Sequence, residues 1–168
     1  MNDQIELHND IQNNPLDCVE DILDSHNWIY SRTANEELVV DVSGKDCHYR
    51  LTFLWQSHLN ALQLCCQYNL QVPETSYAAA ATTILEMNEA LWMGHFELSK
   101  ETMAPRYRHT CFITADKGED AYNYIEDLVD VSLTQCERFQ HVFQILAHSG
   151  STDTQTLSLA MMETQGDA

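Results

Sequence analysis

Apolar side chains recur every three or four positions in three segments of the chain, and each segment predicts an α-helix. The first begins at Asn14, a capping residue that is followed by Pro15, and it ends near His26. The third runs from about Glu119 to Ala147. Its apolar stripe is longer than strands of about five to eight residues can cover. The stripe comprises Ile125, Val129, Ser132, Cys136, Phe139, Phe143 and Leu146.

The second predicted helix lies between Val72-Pro73 and Met93-Gly94. Helical spacing predicts a single buried face made of Tyr77, Ala81, Ile84, Leu85, Asn88 and Leu91. Asn88 is a polar residue inside this stripe. We interpret it as a buried amide that bonds to backbone groups at the helix end, because buried polar groups are normally hydrogen-bonded.

Between these helices the apolar residues alternate with polar ones, which is typical of half-buried strands. The predicted strands are Ile29–Thr33, Glu37–Val42, Tyr49–Trp55, Leu62–Leu70, His95–Ser99 and Arg106–Ala115. The order of elements is α-β-β-β-β-α-β-β-α. It predicts an α+β fold in which the helices pack on one face of an antiparallel sheet of five to six strands. No βαβ alternation or glycine-rich phosphate loop is present to suggest a nucleotide-binding fold.

The balance of charge excludes two classes of partner. Eight basic residues against 26 acidic ones give the 168-residue chain a net charge of −18, which repels nucleic acid and anionic membranes. The N-terminus lacks the basic and apolar parts of a signal peptide, so we expect a cytoplasmic protein. The length predicts one domain, residues 14–148, after a flexible acidic N-terminus, 1–13. Residues 149–168 form a C-terminal tail with a candidate docked helix.

Candidate chemical groups are few. The six cysteines, Cys18, Cys47, Cys65, Cys66, Cys111 and Cys136, have no C-x-x-C spacing, and we expect reduced, metal-free thiols. Cys111 and His109 are the sharpest candidates for a nucleophile and its base. They are two positions apart on one strand, about 7 Å, which is too far for a direct hydrogen bond. We therefore interpret them as a fully hydrogen-bonded core histidine next to a core cysteine, and predict no catalytic, cofactor or metal-binding residue.

Three of the eight basic residues, Arg50, Arg106 and Arg108, project from the predicted non-core face of the sheet. One interpretation is that they form cross-strand pairs with acids such as Glu97. The other is that they bind an acidic segment of a protein partner or a second subunit, because the guanidinium fork suits carboxylates.

Short blocks along the chain resemble the YbjN-domain family of bacterial proteins. The blocks are Asn14-Pro15-Leu16-Asp17, Leu91-Trp92-Met93-Gly94-His95-Phe96, Arg106-Tyr107-Arg108-His109, Cys136-Glu137-Arg138-Phe139 and Glu163-Thr164-Gln165-Gly166-Asp167-Ala168. The resemblance implies a sensory transduction regulator whose fold is similar to that of the type III secretion chaperones. Those are small, acidic, usually dimeric proteins that hold segments of a client. The family has no established catalytic residues, so none is carried over.

Together these features predict a non-enzymatic regulatory or chaperone-like protein that acts through protein–protein contacts and needs no cofactor. We expect a homodimer, with Phe139 and Phe143 as candidate dimer contacts on the long third helix. The alternative is a small-ligand sensor or an enzyme with a pocket between the sheet and this helix.

Overall fold

The computed structural model describes residues 14–113, 118–148 and 154–165. The predicted flexible N-terminus, residues 1–13, lies outside this range. The elements are α1 (Pro15–Ser25), β1 (Tyr30–Ala34), β2 (Glu37–Ser43), β3 (His48–Gln56), β4 (Ala61–Tyr68), α2 (Tyr77–Glu89), β5 (His95–Leu98), β6 (Pro105–Phe112), α3 (Gly118–His148) and α4 (Thr154–Gln165). Single 3₁₀ turns precede β4 and α2. No described helix is long and apolar enough to cross a membrane.

The six strands form one sheet in the order β1-β2-β3-β4-β6-β5, and every neighbouring pair is antiparallel. The first four strands follow each other as a meander. The chain then passes through α2 to the edge strand β5 and returns as β6, which lies between β5 and β4. This confirms the α+β fold and the antiparallel sheet that the alternating pattern predicts.

Strict alternation along the strands gives the sheet two different faces. In β3, residues Tyr49, Leu51, Phe53 and Trp55 are buried, whereas the residues between them are exposed or half-buried. The helices α1, α2 and α3 pack against the sheet on the side of these buried residues. We call this side the helix face. The opposite side carries no helix in the described part of the chain.

The long helix α3 supplies much of the core on the helix face. Phe139 and Phe143 are only 1% and 0% exposed, and their rings pack on Phe96 with centroid distances of 5.3 and 5.6 Å. The hydroxyl of Tyr68 donates a 2.7 Å hydrogen bond to the backbone carbonyl of Cys136. The candidate role of Phe139 and Phe143 as dimer contacts is therefore wrong, because the sheet of the same chain already buries both rings.

The buried side of α2 also differs from the expectation. The residues that the structure buries are Ala80, Thr83, Ile84 and Met87, whereas Tyr77, Ala81 and Leu85 face outward. Because α2 carries alanine, threonine or larger apolar residues on nearly every side up to Leu85, spacing alone does not determine which side faces the core. Packing against β5 decides it.

Asn88 connects α2 to β5 through the backbone of the edge strand. Its side-chain amide donates to the carbonyl of Phe96 at 3.0 Å and accepts from the amide of Phe96 at 2.7 Å. Asn88 is thus a structural amide, as interpreted, but it is half-buried and its backbone partner lies on β5 and not at the end of α2.

The C-terminal helix α4 packs on α3. Leu157 and Ala160 are buried, and Arg138 of α3 donates a 2.8 Å hydrogen bond from Nε to the carbonyl of Thr164. Part of the segment 149–168 is thus a helix that contacts the domain.

Candidate functional site

The helix-free side of the sheet, which we call the arginine face, contains a small open depression. Its volume is about 260 Å³. Arg50 lies on β3, and Arg106 and Arg108 lie on β6, with β4 between them. The residues that line it are Arg50, Thr52, Leu54, Gln63, Cys65, Gln67, Arg106 and Arg108.

Arg106 and Arg108 converge on a single carboxylate of the edge strand β5. Arg106 is directly opposite Glu97 in the register, and Nε of Arg106 and Nη2 of Arg108 both donate to Oε1 of Glu97. The imidazole Nε2 of His95 lies 3.6 Å from the other oxygen of Glu97. The side chains of Arg106 and Arg108 are 29% and 30% exposed, so both remain partly accessible to solvent.

Arg50 forms a separate pair with Asp41 of β2. Its Nε and Nη2 donate to the two carboxylate oxygens at 2.9 and 3.1 Å, which is a bidentate arrangement. This pair is more exposed than the Glu97 cluster, with 60% of the Arg50 side chain accessible. In the register Gln67 separates Arg50 from Arg106, so the two backbones are roughly 10 Å apart.

The charges on this face shift the pKa values of its acidic groups. Burial acts to raise the pKa of Glu97, but the hydrogen bonds and positive charges of Arg108 and Arg106 outweigh it and hold the pKa below its usual value. The hydrogen bond from Arg50 likewise lowers the pKa of Asp41. Burial raises the pKa of the Cys65 thiol, and the two nearby arginines only partly offset this effect. Glu97 is therefore charged and Cys65 protonated at neutral pH.

The structure brings together two of the three predicted face residues. Cross-strand pairing of the arginines with Glu97 is confirmed for Arg106 and Arg108, whereas Arg50 binds Asp41 instead. The sequence analysis did not predict the pairing of Arg50 with Asp41. The signal was present in the sequence, since Asp41 and Arg50 occupy the same face of a hairpin that turns at Ser43 to Asp46.

The Cys111–His109 candidate lies on the helix face. Burial raises the pKa of Cys111 to about 11, and its thiol donates to the carbonyl of Leu62 at 3.5 Å. Burial also lowers the pKa of His109, whose buried Nδ1 has no hydrogen-bond partner among the described residues. Cys111 is thus a protonated, weakly nucleophilic thiol. The expectation of a fully hydrogen-bonded core histidine is wrong for His109.

All six cysteines lie within the described residues. Cys66, Cys111 and Cys136 are buried, and the other three are half-buried. In the described ranges no three His, Cys, Asp or Glu side chains are grouped closely enough to hold a metal ion.

Comparison with known proteins identifies the family to which the fold belongs. The YbjN family model, described as "Putative bacterial sensory transduction regulator", matches residues 15–144, which is most of the chain. The chain belongs to the YbjN family. The matched segment includes the whole sheet and most of α3, so the arginine face lies on the family's domain. The family description supports a regulator as the general class of function.

A solved structure shares this fold. It is the crystal structure of YbjN from E. coli, which is described as "a putative transcription regulator". The TM-score is 0.52 at 9% identity, and the match covers 75% of this chain and 92% of the other. At so low an identity the likeness shows the fold alone. The comparison with curated proteins found no match. The similarity of the fold to that of type III secretion chaperones stays a prediction.

Proposed function

We propose that this YbjN-family chain is a non-enzymatic, cytoplasmic regulator that binds an acidic segment of another protein on its arginine face. The observation that carries the proposal is the sharing of one carboxylate by two arginines. Arg106 and Arg108 each give one hydrogen bond to Glu97 among the described residues. A guanidinium has five N–H donors, so donors remain for a further carboxylate.

The charge of the face supports an anionic partner group. Among the described residues, two arginines against Glu97 leave one positive charge without an acidic partner, and the Arg50–Asp41 pair adds none. The rest of the chain is strongly acidic, with a net charge of −18. An acidic segment is therefore repelled by most of the molecule and attracted at this position, which favours a defined binding register.

The arginines are also held in place before any partner binds. Glu97 and Asp41 hold the guanidinium groups through hydrogen bonds. Less side-chain entropy is then lost on binding than for free surface arginines. Thr52, Gln63 and Gln67 line the depression and offer further hydrogen-bonding groups.

The alternative function needs a pocket between the sheet and α3. Aromatic rings occupy that region in the described part of the chain: the Tyr68 and Phe143 centroids are 4.9 Å apart, and Phe96 contacts Phe139 at 5.3 Å. This packing favours the arginine face over the alternative.

The test compares three forms of the full chain. We expect wild type to retain a protein with an acidic segment from lysate of the native cells. R106Q/R108Q should bind an isolated peptide of that segment at least about tenfold more weakly, since a charged hydrogen bond contributes about 1.5–3 kcal/mol. The control K45Q/K100Q also loses two positive charges, from exposed residues outside the face, and should bind like wild type.

Two further measurements make the result decisive. Circular dichroism establishes that each variant is folded, and R106K/R108K keeps the charge while removing the guanidinium fork. If R106Q/R108Q and K45Q/K100Q bind the same peptide equally well, the arginine face is not the binding site.

A further inference from the structure

The arginine face is charged at one end of β6 and apolar at the other. This side of the strand carries Arg106, Arg108 and, four residues later, Phe112. The ring of Phe112 is 74% exposed, and its register partner on β4, Ala61, is buried. Leu54 of β3 is half-buried and lines the depression beside the arginines. We call Leu54, Ala61 and Phe112 the apolar end of the face.

The polar and charged groups beside the apolar end already have partners within the chain. Nε2 of Gln63 donates a 2.7 Å hydrogen bond to Oγ1 of Thr110 on the neighbouring strand. Glu37 is opposite Leu54 in the register, and it accepts a 2.7 Å hydrogen bond from the hydroxyl of Thr33. The acid of a partner is therefore attracted to the arginines and repelled from the end where Glu37 lies. An apolar side chain, by contrast, loses its contact with water at the apolar end.

We propose that the arginine face binds an extended segment of another protein in which large apolar side chains lie four residues from acidic ones. The inference rests on the proposed function and names the class of segment that the face accepts. Arg108 and Phe112 are four residues apart on β6, a distance of about 13 Å at the rise of a strand, and Arg50 and Leu54 have the same separation on β3. Two side chains four residues apart in an extended segment span the same distance and point to the same side.

The two-residue period of β6 sets the pattern of such a segment. Arg106 and Arg108 are two residues apart, so acids at alternate positions of an extended segment each meet one guanidinium group. The next two alternate positions then lie over Thr110 and Phe112. A helical segment needs about nine residues to span the same 13 Å, and only every third or fourth of them faces the sheet. The face therefore favours acid-x-acid-x-apolar-x-apolar, in either chain direction.

The apolar end supplies a kind of binding energy that the arginines do not. Ion pairs that stay in contact with water contribute little on their own. Covering the exposed ring of Phe112 removes apolar area from water, and aromatic rings bury more area than most side chains. The arginines thus set the position of the segment, and Phe112 raises its affinity.

The test measures the binding of fluorescein-labelled synthetic peptides to the full chain by fluorescence anisotropy. The in-phase peptide is a threonine chain with glutamates at its second and fourth positions and leucines at its sixth and eighth. The out-of-phase peptide has the same composition, but its leucines are at the seventh and ninth positions and point to the other side. The acid-only peptide has threonines in place of the leucines. Each peptide is made in both chain directions, and in at least one direction the in-phase peptide should bind about tenfold more tightly than the other two.

Three variants of the protein assign the two parts of the site. Phe112→Ala should bind the in-phase peptide about tenfold more weakly, and R106Q/R108Q should bind the in-phase and acid-only peptides more weakly than wild type. The control Leu159→Ala removes another exposed apolar side chain, which lies on α4 and is 62% exposed, and should bind like wild type. Circular dichroism establishes that each variant is folded.

Two results would overturn the proposal: a wild-type chain that does not prefer the in-phase peptide in either direction, or a Phe112→Ala variant that binds it like wild type. The acid-only peptide separates these results from a failure of the proposed function. If R106Q/R108Q weakens the binding of that peptide while Phe112→Ala leaves in-phase binding unchanged, the arginine face binds acids but takes no apolar residue. If R106Q/R108Q binds every peptide like wild type, the proposed function itself is wrong.

Discussion

The two faces of the sheet are built from the same strands but are stabilised by different interactions. On the helix face, aromatic and aliphatic side chains from β3, β4 and α3 are almost fully buried. On the arginine face, the side chains form ion pairs across neighbouring strands and remain in partial contact with water. Burial of apolar area therefore stabilises the helix face, whereas ion pairs that remain in contact with water stabilise the arginine face to a smaller extent.

Cys65 and Cys66 show this difference between adjacent residues of β4. Cys65 is half-buried beside Arg106 and Arg108, whereas Cys66 is fully buried next to Cys136 of α3. Burial raises the pKa of Cys65, and the hydrogen bond with Cys136 together with burial raises that of Cys66. The side of the strand on which each thiol lies sets its access to solvent.

The largest expected difference between the faces is in the rate of thiol alkylation. Cys65 should react with iodoacetamide in the native protein, more slowly than a free thiol because its pKa is raised. Cys66 should react only when the protein unfolds, at least about a thousandfold more slowly, since unfolding costs about 5 kcal/mol or more. Peptide mapping by mass spectrometry after timed labelling distinguishes the two. Equal labelling rates would contradict the assignment of the faces.

Removing an aromatic ring from the helix face should lower the free energy of unfolding far more than removing the exposed ring of Phe112, the last residue of β6. We expect Phe143→Ala to lower the free energy of unfolding by about 3–5 kcal/mol, because it leaves a cavity against Tyr68 and Phe96. Phe112→Ala, at a residue that is 74% exposed, should change it by less than about 0.5 kcal/mol. Urea unfolding measures both. A Phe143→Ala variant as stable as wild type would mean that this ring is not part of the core.

Within the arginine face, the ion pairs of Glu97 with Arg106 and Arg108 should contribute more to the free energy of unfolding than the Arg50–Asp41 pair. Glu97→Gln keeps the shape of the side chain but removes the charge that two partly buried arginines share, and we expect a loss of about 1–3 kcal/mol. Asp41→Asn disrupts an exposed pair and should cost about 0–1 kcal/mol.

The contribution of Glu97 to stability depends on pH, and the direction of its pKa shift sets the direction of that dependence. The pKa of Glu97 is lower in the folded protein than its ordinary value of 4.5, so its contribution to stability is complete above about pH 4.5. The contribution is lost as the pH falls through the folded pKa. The stability difference between wild type and Glu97→Gln should therefore shrink on acidification in urea titrations. A difference that grows as the pH falls would show that the carboxylate is not stabilised by the arginines.

Most of the sheet could be predicted from the sequence, but the placement of the helices could not. Because residues alternate along β3 and β6, only one orientation of each strand buries its aromatic residues. That orientation also places Arg50, Arg106 and Arg108 on the opposite side of the sheet. Helix α2 is apolar on several sides, and its orientation depends on contacts with β5 that are distant in sequence. For the same reason Phe139 and Phe143 could be taken for a dimer contact, since the pattern of α3 does not say what covers its stripe.

The sequence by itself determined the alternating strands, the acidic net charge and the side of the sheet that carries the arginines, because these depend on local periodicity and composition. Only the tertiary structure decided that Arg106 and Arg108 share Glu97, that Arg50 binds Asp41, and that Tyr77, Leu85 and Trp92 remain outside the core. Those outcomes depend on strand order and on how the helices pack. Both are set by which long-range contacts bury the most apolar surface, and no single segment of the chain contains that information.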